Sequence, residues 1–446
     1  MNSLALPILR ALAPLAAALV IGGYLLAAAP PGSLGAPWIL IGLAVLAIAW
    51  VLRRPWDGRR DDVLPALAVL LSAFGLSQIA RLSPELAQRQ EGWIALALLL
   101  AIALSWGFER FRRLAAFKYV WVLGSIVLFG MLALFGQEVN GAKLWIRVGP
   151  LQYEPVELIK LFIVLFMAGY LAETADVIAA ARPWSLRANA KYLGPLFLGW
   201  GASMGILVFE RDIGMAMLLL ATFLAMLYVA TRRVDLVVGA TGVFGLAVWW
   251  AVKHYSYVAV RYEAWRNPFA DPFGRGYQAL QGYFSIASGG VFGTGFGLGH
   301  PGFIPEVATD YVYAAWSEEF GTLGALALIA AFALIVRRML AVAWSRPDLY
   351  TKLLATGLAA TFGFQVFIIV GGVLGVFPLT GITLPFVSYG GSSLVTNFVL
   401  IALIWAASHR RTAPATSDFR SESATNGAPR RASASVAGAG TTLIGR

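Results

Sequence analysis

The stretch GFIPEVATDYVYAAWSEEFGTLGALALIAAFALIV, residues Gly302–Val336, places acid beside a lipid-compatible run. Its second half is an apolar segment of spanning length, closed by Arg337 and Arg338. Glu306 and Asp310 stand just before that segment, and Glu318 and Glu319 lie in its first turns. An ionisable group at a membrane boundary costs several kcal/mol unless it is solvated or paired, so such a cluster reads by default as a functional site. The segment thus implies a membrane helix with chemistry at one end.

Outward from this stretch, the whole chain shows the same contrast. Of its 446 residues, 59% are hydrophobic and only 13% charged, with a mean hydropathy of +0.74. A soluble domain carries roughly twice that charge fraction, so the composition is that of an all-α polytopic membrane protein. There is no cysteine, which excludes disulfides and thiolate metal sites. His254, His300 and His409 are scattered and argue against a histidine-built metal centre. The net charge of +11 does not point to nucleic acid, because the arginines sit in short loops where they set topology and meet membrane lipids. The chain start has a weak basic region and an apolar run already of spanning length, so no cleavable signal peptide is expected.

Apolar runs near 11–29, 36–52, 63–80, 92–108, 118–136, 155–173, 191–209, 212–230, 234–252, 312–336, 354–376 and 385–408 give about twelve spans of roughly 20 residues. Basic residues concentrate in one set of alternate loops, as in Arg53, Arg54, Arg59 and Arg60, or Arg110, Arg112 and Arg113. That asymmetry predicts cytoplasmic termini and an outer location for the long segment 253–311. Residues 1–62 read as an added helical hairpin with a basic cytoplasmic loop. Residues 63–410 read as the main membrane domain, and 411–446 as a disordered tail poor in large apolar groups.

Four polar constellations fall on the predicted outer side. In GAKLWIRVGPLQYEPVELIKL, Glu157 and Lys160 are spaced to share a helix face and pair. Lys143, Trp145 and Arg147 are placed at headgroup level, either as interfacial anchors or with Lys160 as a cation-lined pocket for an anionic lipid headgroup. Glu210-Arg211-Asp212 forms a solvated turn, or Asp212 caps the following helix. The loop from Gly289 to Gly302 is too glycine-rich for a stable helix, and such backbone is tolerated in membranes where it lines a cavity or is covered by protein. Thr309 or Asp310 is expected to begin the next helix, with Asp310 as its N-cap or as a general base. For Glu318 and Glu319, an ion pair with Arg or Lys is the structural alternative to a functional role. Finally, Ser388-Tyr389-Gly390-Gly391-Ser392-Ser393 reads as a turn with exposed amides suited to phosphate oxygens, or as close packing by small residues.

Taken together, GAKLWI, EPVELIKL, RDIGMA, NPFADPFGRGYQ, SGGVFGTGFGLG, GFIPEVATDYVYAAWSEEFG and PLTGITLPFVSYGGSS resemble the SEDS family, the RodA, FtsW and SpoVE proteins, in family order over roughly residues 63–408. The resemblance implies a bundle of ten membrane helices, to which the first two spans here are additional. It also implies a peptidoglycan glycosyltransferase that polymerises lipid II at the outer membrane face, for cell-wall elongation or division. Asp310 falls on the family's essential aspartate, Glu157 and Lys160 on its polar pair, and Asp212 on the aspartate of its P-D-L-G-T segment. The chain departs from the family pattern at Leu144, where a basic residue is usual, and at Ala308, where a histidine precedes the threonine and aspartate.

Such a reaction needs a base for the attacking sugar 4-hydroxyl, cations for the departing pyrophosphate, and a groove for polyprenyl and glycan. Asp310 is the candidate base. Lys160, Lys143, Arg147 and Arg211 are candidates for pyrophosphate charge, with a divalent cation, Mg or Mn, as an expected aid and no organic cofactor. Glu306, Thr309, Trp145, Ser388, Tyr389, Gly390, Gly391 and Ser392 complete the expected substrate contacts, with Glu318 and Glu319 in support. The implied partners are lipid II, the growing glycan strand and a class B penicillin-binding transpeptidase. Two rival readings use the same residues: a lipid II flippase, disfavoured by the absence of visible internal repeats, and a noncatalytic scaffold for a transpeptidase.

Overall fold

In lipid every backbone polar group must be satisfied within its own segment, so apolar runs of spanning length fold as helices. The structure, a computed structural model, describes residues 61, 63–111, 117–139, 142–149, 151–181, 190–198, 200–201 and 212–408. The expected N-terminal hairpin, Arg211 and the tail lie outside these residues. The helices are α1 (Val63–Leu82), α2 (Pro84–Phe111), α3 (Lys118–Phe135), α4 (Pro155–Ala180), α5 (Ile213–Thr231), α6 (Val234–His254), α7 (Ser256–Arg266), α8 (Tyr277–Gly289), α9 (Val312–Trp344), α10 (Leu349–Val373) and α11 (Gly391–Ala407). Residues 190–198 and 200–201 are also helical. Seven of the described helices, α1, α3, α4, α5, α6, α9 and α10, are long and apolar enough to cross a membrane.

The interior is built by α4, α10 and α11, which are apolar on all sides and mostly buried. α2 packs along α11, α9 along α10, and α10 also against α4 and α5. A ladder of aromatic rings crosses this core: Phe332 of α9, Phe362 of α10, Phe386 in the turn before α11, and Phe398 of α11, with successive centroids 6.0, 5.9 and 5.1 Å apart. α6 buries none of its residues and lies on the rim.

Two segments differ from the expected spans. The last helix begins at Gly391, not near 385, because Phe386 takes a left-handed backbone (φ 66°) and residues 385–389 form turns. Between α3 and α4 a small antiparallel sheet replaces the expected loop: β1 (Gln137–Val139), β2 (Ala142–Val148) and β3 (Leu151–Tyr153). Gly149, at φ 62°, turns the chain between β2 and β3.

The glycine-rich loop after α8 leaves Val291, Phe292 and Leu298 exposed, but its backbone docks on a break in α9. At Gly321 the backbone leaves the helix (φ 68°, ψ −172°), which frees carbonyls on one side and amides on the other. Thr294 and Gly295 donate their amides to Glu318 O and Glu319 O, at 2.9 and 3.0 Å. In return the amides of Thr322 and Leu323 donate to Gly290 O and Val291 O, at 2.9 and 3.2 Å. The two irregular segments therefore satisfy each other's backbone groups. The approach is too close for side chains: a Cβ on Gly293 (φ 84°) would lie 2.1 Å from Glu319 O, and one on Gly321 would lie 2.3 Å from Gly293 N.

Gly293→Ala and Gly321→Ala are each expected to cost on the order of 2–3 kcal/mol through clash and strained φ. The check is the thermal midpoint of the purified protein in detergent. Gly302→Ala, where a Cβ would meet nothing within 4 Å, serves as the unchanged control.

Candidate active site

The acidic segment before α9 is a tight turn organised by one carbonyl. Glu306 adopts φ 52°, an uncommon conformation for a non-glycine residue. Its carbonyl accepts from the amides of Thr309, Asp310 and Tyr311 at 3.2, 3.0 and 3.4 Å, and from Thr309 Oγ1 at 3.1 Å. α9 starts at Val312 with Tyr311 at its N-cap and no side-chain cap bond. Asp310 and Thr309 are therefore not the helix cap expected from the sequence. The half-buried Asp310 instead lines a cleft of about 180 Å³, together with Arg261, Trp265, Arg275, Tyr283 and Gly381. Burial, then the negative charge of Glu306, pushes the Asp310 carboxyl up to about 6, against the opposing effects of Thr309 and Arg261.

Across from this turn runs the irregular segment 374–390, and the neighbouring elements meet on it. Arg261 of α7 donates from Nη1 to Thr380 O (3.3 Å). Trp265 donates from Nε1 to Gly375 O (2.8 Å), and Gln365 of α10 donates from Nε2 to Thr383 O (2.9 Å). Gly214 at the start of α5 allows contact, since a Cβ there would lie 2.8 Å from both Thr380 Cβ and Ile382 Cγ2. The hydroxyl oxygens of Thr380 and Thr383 are buried without a hydrogen-bond partner.

The exposed-amide turn expected at Ser388–Ser393 does not form over its first three residues. The Ser388 amide donates to Leu384 O and the Tyr389 amide to Ala308 O, at 3.0 and 2.8 Å. The Gly390 amide donates to Gln90 Oε1 at 3.4 Å. Gly391 leaves no room for a Cβ against the Trp93 ring. The small residues serve close packing, the alternative reading of this motif.

Glu157 and Lys160 form the expected ion pair. Lys160 is nevertheless completely buried, and its Nζ also donates to Gln365 Oε1 (2.9 Å). Its ammonium is thus enclosed by protein rather than lining an open headgroup pocket. Asp212 caps α5, accepting from the Met215 amide at Oδ1 (3.0 Å). Its carboxyl is pushed up to about 6 by burial, opposed by the Met215 amide and by Arg261. Glu154 lies in the same neighbourhood: its carboxyl is held well above the ordinary value by burial and by the charges of Glu157 and Asp212, with Asp310 adding to them. Its amide donates to Ser392 Oγ (2.8 Å).

Trp145 and Arg147 lie on β2, paired with Gln137 and Gln152, in a sheet that rests on α3 and α4. Lys143, also on β2, stands opposite Glu138 of β1; its side chain and that of Leu144 lie outside the described residues. Glu318 and Glu319 are enclosed near the break in α9. Glu319 pairs with Arg81 of α1 (Nε–Oε1, 2.6 Å) and accepts from Gln78 Nε2 (3.1 Å). Glu318 accepts from Ser285 Oγ and from the His300 amide. Among the described residues, no group of three or more His, Cys, Asp or Glu is arranged to hold a metal ion.

Sequence reasoning missed Arg261, Gln365 and Arg81. Gln365 carried a usable signal, as a lone amide in an otherwise apolar span. Arg261 lies in a long outer segment, where a basic residue says little about topology and its position gives no sign of a contact with Thr380.

The family model described as cell cycle protein, covering FtsW, RodA and SpoVE, matches residues 63–413. The peptidoglycan glycosyltransferase RodA of Mycobacterium tuberculosis is 35% identical over 397 residues, 84% of each chain. Stage V sporulation protein E of Bacillus subtilis is 31% identical over 67% of this chain and 79% of its own length. Among solved structures, a chain from a study of polymerization and crosslinking by a peptidoglycan synthase complex superposes with TM-score 0.66 at 31% identity, covering 78% of this chain and 97% of that chain. The rod-shape-determining protein RodA of Thermus thermophilus gives TM-score 0.58 at 28% identity, covering 79% and 98%.

Breaking the Glu157–Lys160 pair on one side is expected to be worse than replacing both partners. Lys160→Met should cost about 3–5 kcal/mol, because it strands a buried carboxylate, and adding Glu157→Leu should recover part of the loss. Thermal unfolding of the two variants in detergent checks the order.

Proposed function

This chain belongs to the FtsW/RodA/SpoVE family of cell cycle proteins and is a multi-pass membrane peptidoglycan glycosyltransferase, and from that premise we propose that it polymerises lipid II with Asp310 as the general base. The observation that carries the assignment is the placement of Asp310. Its carboxylate is uncommitted to any helix cap and lines a cleft that it shares with Arg261 and Arg275. A carboxyl near 6 is largely ionised at neutral pH, yet basic enough to take a proton in the transition state.

In the proposed step the acceptor sugar's 4-hydroxyl attacks the anomeric carbon of the donor. The new C–O bond forms as the bond to pyrophosphate breaks. Asp310 receives the hydroxyl proton, and the leaving pyrophosphate keeps the bonding electron pair. Attack opposite the leaving group converts an α-linked donor to a β-linked product. Arg261 and Arg275, on the cleft wall, are suited to stabilise the pyrophosphate. Lys160 acts indirectly, holding Gln365, which in turn holds Thr383 O. The loop asymmetry of basic residues supports an outer location for this chemistry. Cross-linking of the strands would fall to a class B penicillin-binding protein, a partnership that the similarity to a chain of a peptidoglycan synthase complex supports.

Two measurements test this. Purified protein with its transpeptidase should polymerise lipid II, and Asp310→Asn should lower the rate by at least about 10²-fold. The base must be deprotonated, so the wild-type kcat/KM should rise with pH through about 6, and that limb should persist in Asp212→Asn. Normal polymerisation by Asp310→Asn would sink the assignment. Lipid II scrambling in vesicles without polymerisation would favour transport.

A further inference from the structure

The Ser388–Ser392 motif sits beside the site, but the amides of Ser388, Tyr389 and Gly390 are already used within the protein, so the mechanism leaves it without a role. Its hydrogen bonds supply one. Ser388 is buried; its Oγ donates to Thr309 O (2.5 Å) and accepts from the Leu384 amide (3.0 Å). A hydroxyl has a single proton, and this one is spent on the Thr309 carbonyl, so none remains for a phosphate. The Tyr389 amide donates to Ala308 O (2.8 Å).

Set beside the Glu306 turn, these bonds form a pattern. The peptide joining Thr309 to Asp310 has its carbonyl held by Ser388 and its amide by Glu306 O. The preceding peptide has its carbonyl held by Tyr389 and its amide, that of Thr309, also by Glu306 O. Two successive peptide planes are thus clamped on both edges, which fixes where the Asp310 side chain leaves the backbone. The motif is itself held from α2, where Gln90 donates to Ser388 O (3.3 Å) and accepts from the Gly390 amide (3.4 Å). All of the bonds at Ala308 use its backbone, so this clamp is indifferent to the side chain there.

We propose that Ser388 is a positioning residue for catalysis: its hydroxyl orients the Thr309–Asp310 peptide and so aims the Asp310 carboxylate, without touching substrate. The proposal rests on the reading of Asp310 as the base. A small misplacement of a catalytic group is costly, so Ser388→Ala should lower kcat roughly ten- to a hundredfold with KM for lipid II little changed. The acidic limb of the pH–rate profile should move below its wild-type position as Asp310 becomes better solvated. Ser388→Thr, which keeps the hydroxyl, should restore most of the rate.

A readout independent of turnover is amide hydrogen exchange, in which Ser388→Ala should speed exchange at Thr309, Asp310 and Tyr389. A raised KM with unchanged kcat would overturn the proposal in favour of substrate contact. So would unchanged exchange at those amides, or a Ser388→Thr protein that folds but is as slow as an Asp310→Asn variant. If the wild type does not polymerise lipid II at all, the functional reading fails, and the exchange experiment alone decides whether the clamp exists.

Discussion

Everything at the functional end of this bundle depends on how one stretch of irregular backbone, residues 374–390, satisfies its polar groups among packed helices. Such backbone cannot face lipid, and each unmet amide or carbonyl costs several kcal/mol. Its partners are therefore side chains from the surrounding elements: Arg261 and Trp265 of α7, Gln365 of α10 and Gln90 of α2. Backbone reaches it too, from Ala308 and from the close approach of Gly75 to Phe386 and Val387. The Phe386 ring, built into the core ladder, anchors the segment from below. Because one loop collects these partners, it brings α2, α7, α10 and the Asp310 turn together at one end of the bundle.

The same constraint explains the break in α9. Between Asp310 and Gly321 lies a short half-helix held at both ends. At its start the Glu306 carbonyl and Ser388 clamp the backbone. At its end the glycine-rich loop fills the hydrogen-bonding gaps that Gly321 opens, and Glu318 and Glu319 tie in Ser285, His300, Arg81 and Gln78. A buried ion pair such as Arg81–Glu319 is weak evidence for stability, because desolvation offsets most of the attraction. Its geometric effect is firmer: it joins α1 to the break and limits how far the half-helix carrying Asp310 can shift. The two glutamates therefore belong to the support of the site.

Much of this architecture was legible in the chain, and the boundary has physical causes. Hydropathy placed the described spans because lipid imposes one solution on apolar runs. The Glu157–Lys160 pair and the Asp212 cap were legible because both are local: one follows from helix spacing, the other from the first-turn amides. The small sheet was not, because its strands are three to seven residues long and its pairing depends on which helix ends happen to be neighbours. The glycines after Gly289 were correctly read as helix-breaking. Their reason was invisible, since it lies in a backbone about 30 residues away that breaks at Gly321. Arg261 and Gln365 gained meaning only once the loop they hold had been placed.

The cleft's charges explain why a buried aspartate suits this role. Asp310 and Asp212 are both raised to about 6 by burial, and Arg261 opposes the shift at both. An arginine shared by two carboxylates keeps each ionised without committing to a tight pair with either. On the proposed mechanism, a pyrophosphate arriving at Arg261 draws that compensation away and adds negative charge of its own. Both effects raise the proton affinity of Asp310. The carboxylate thus becomes a stronger base when the donor is bound, and a weaker one in the empty cleft, where a premature proton would block it. Fixed Lys160, enclosed by Glu157 and Gln365, cannot take that part because its charge is already answered. The cation that matters most to Asp310 is then Arg261, which holds a backbone carbonyl at Thr380 rather than a carboxylate.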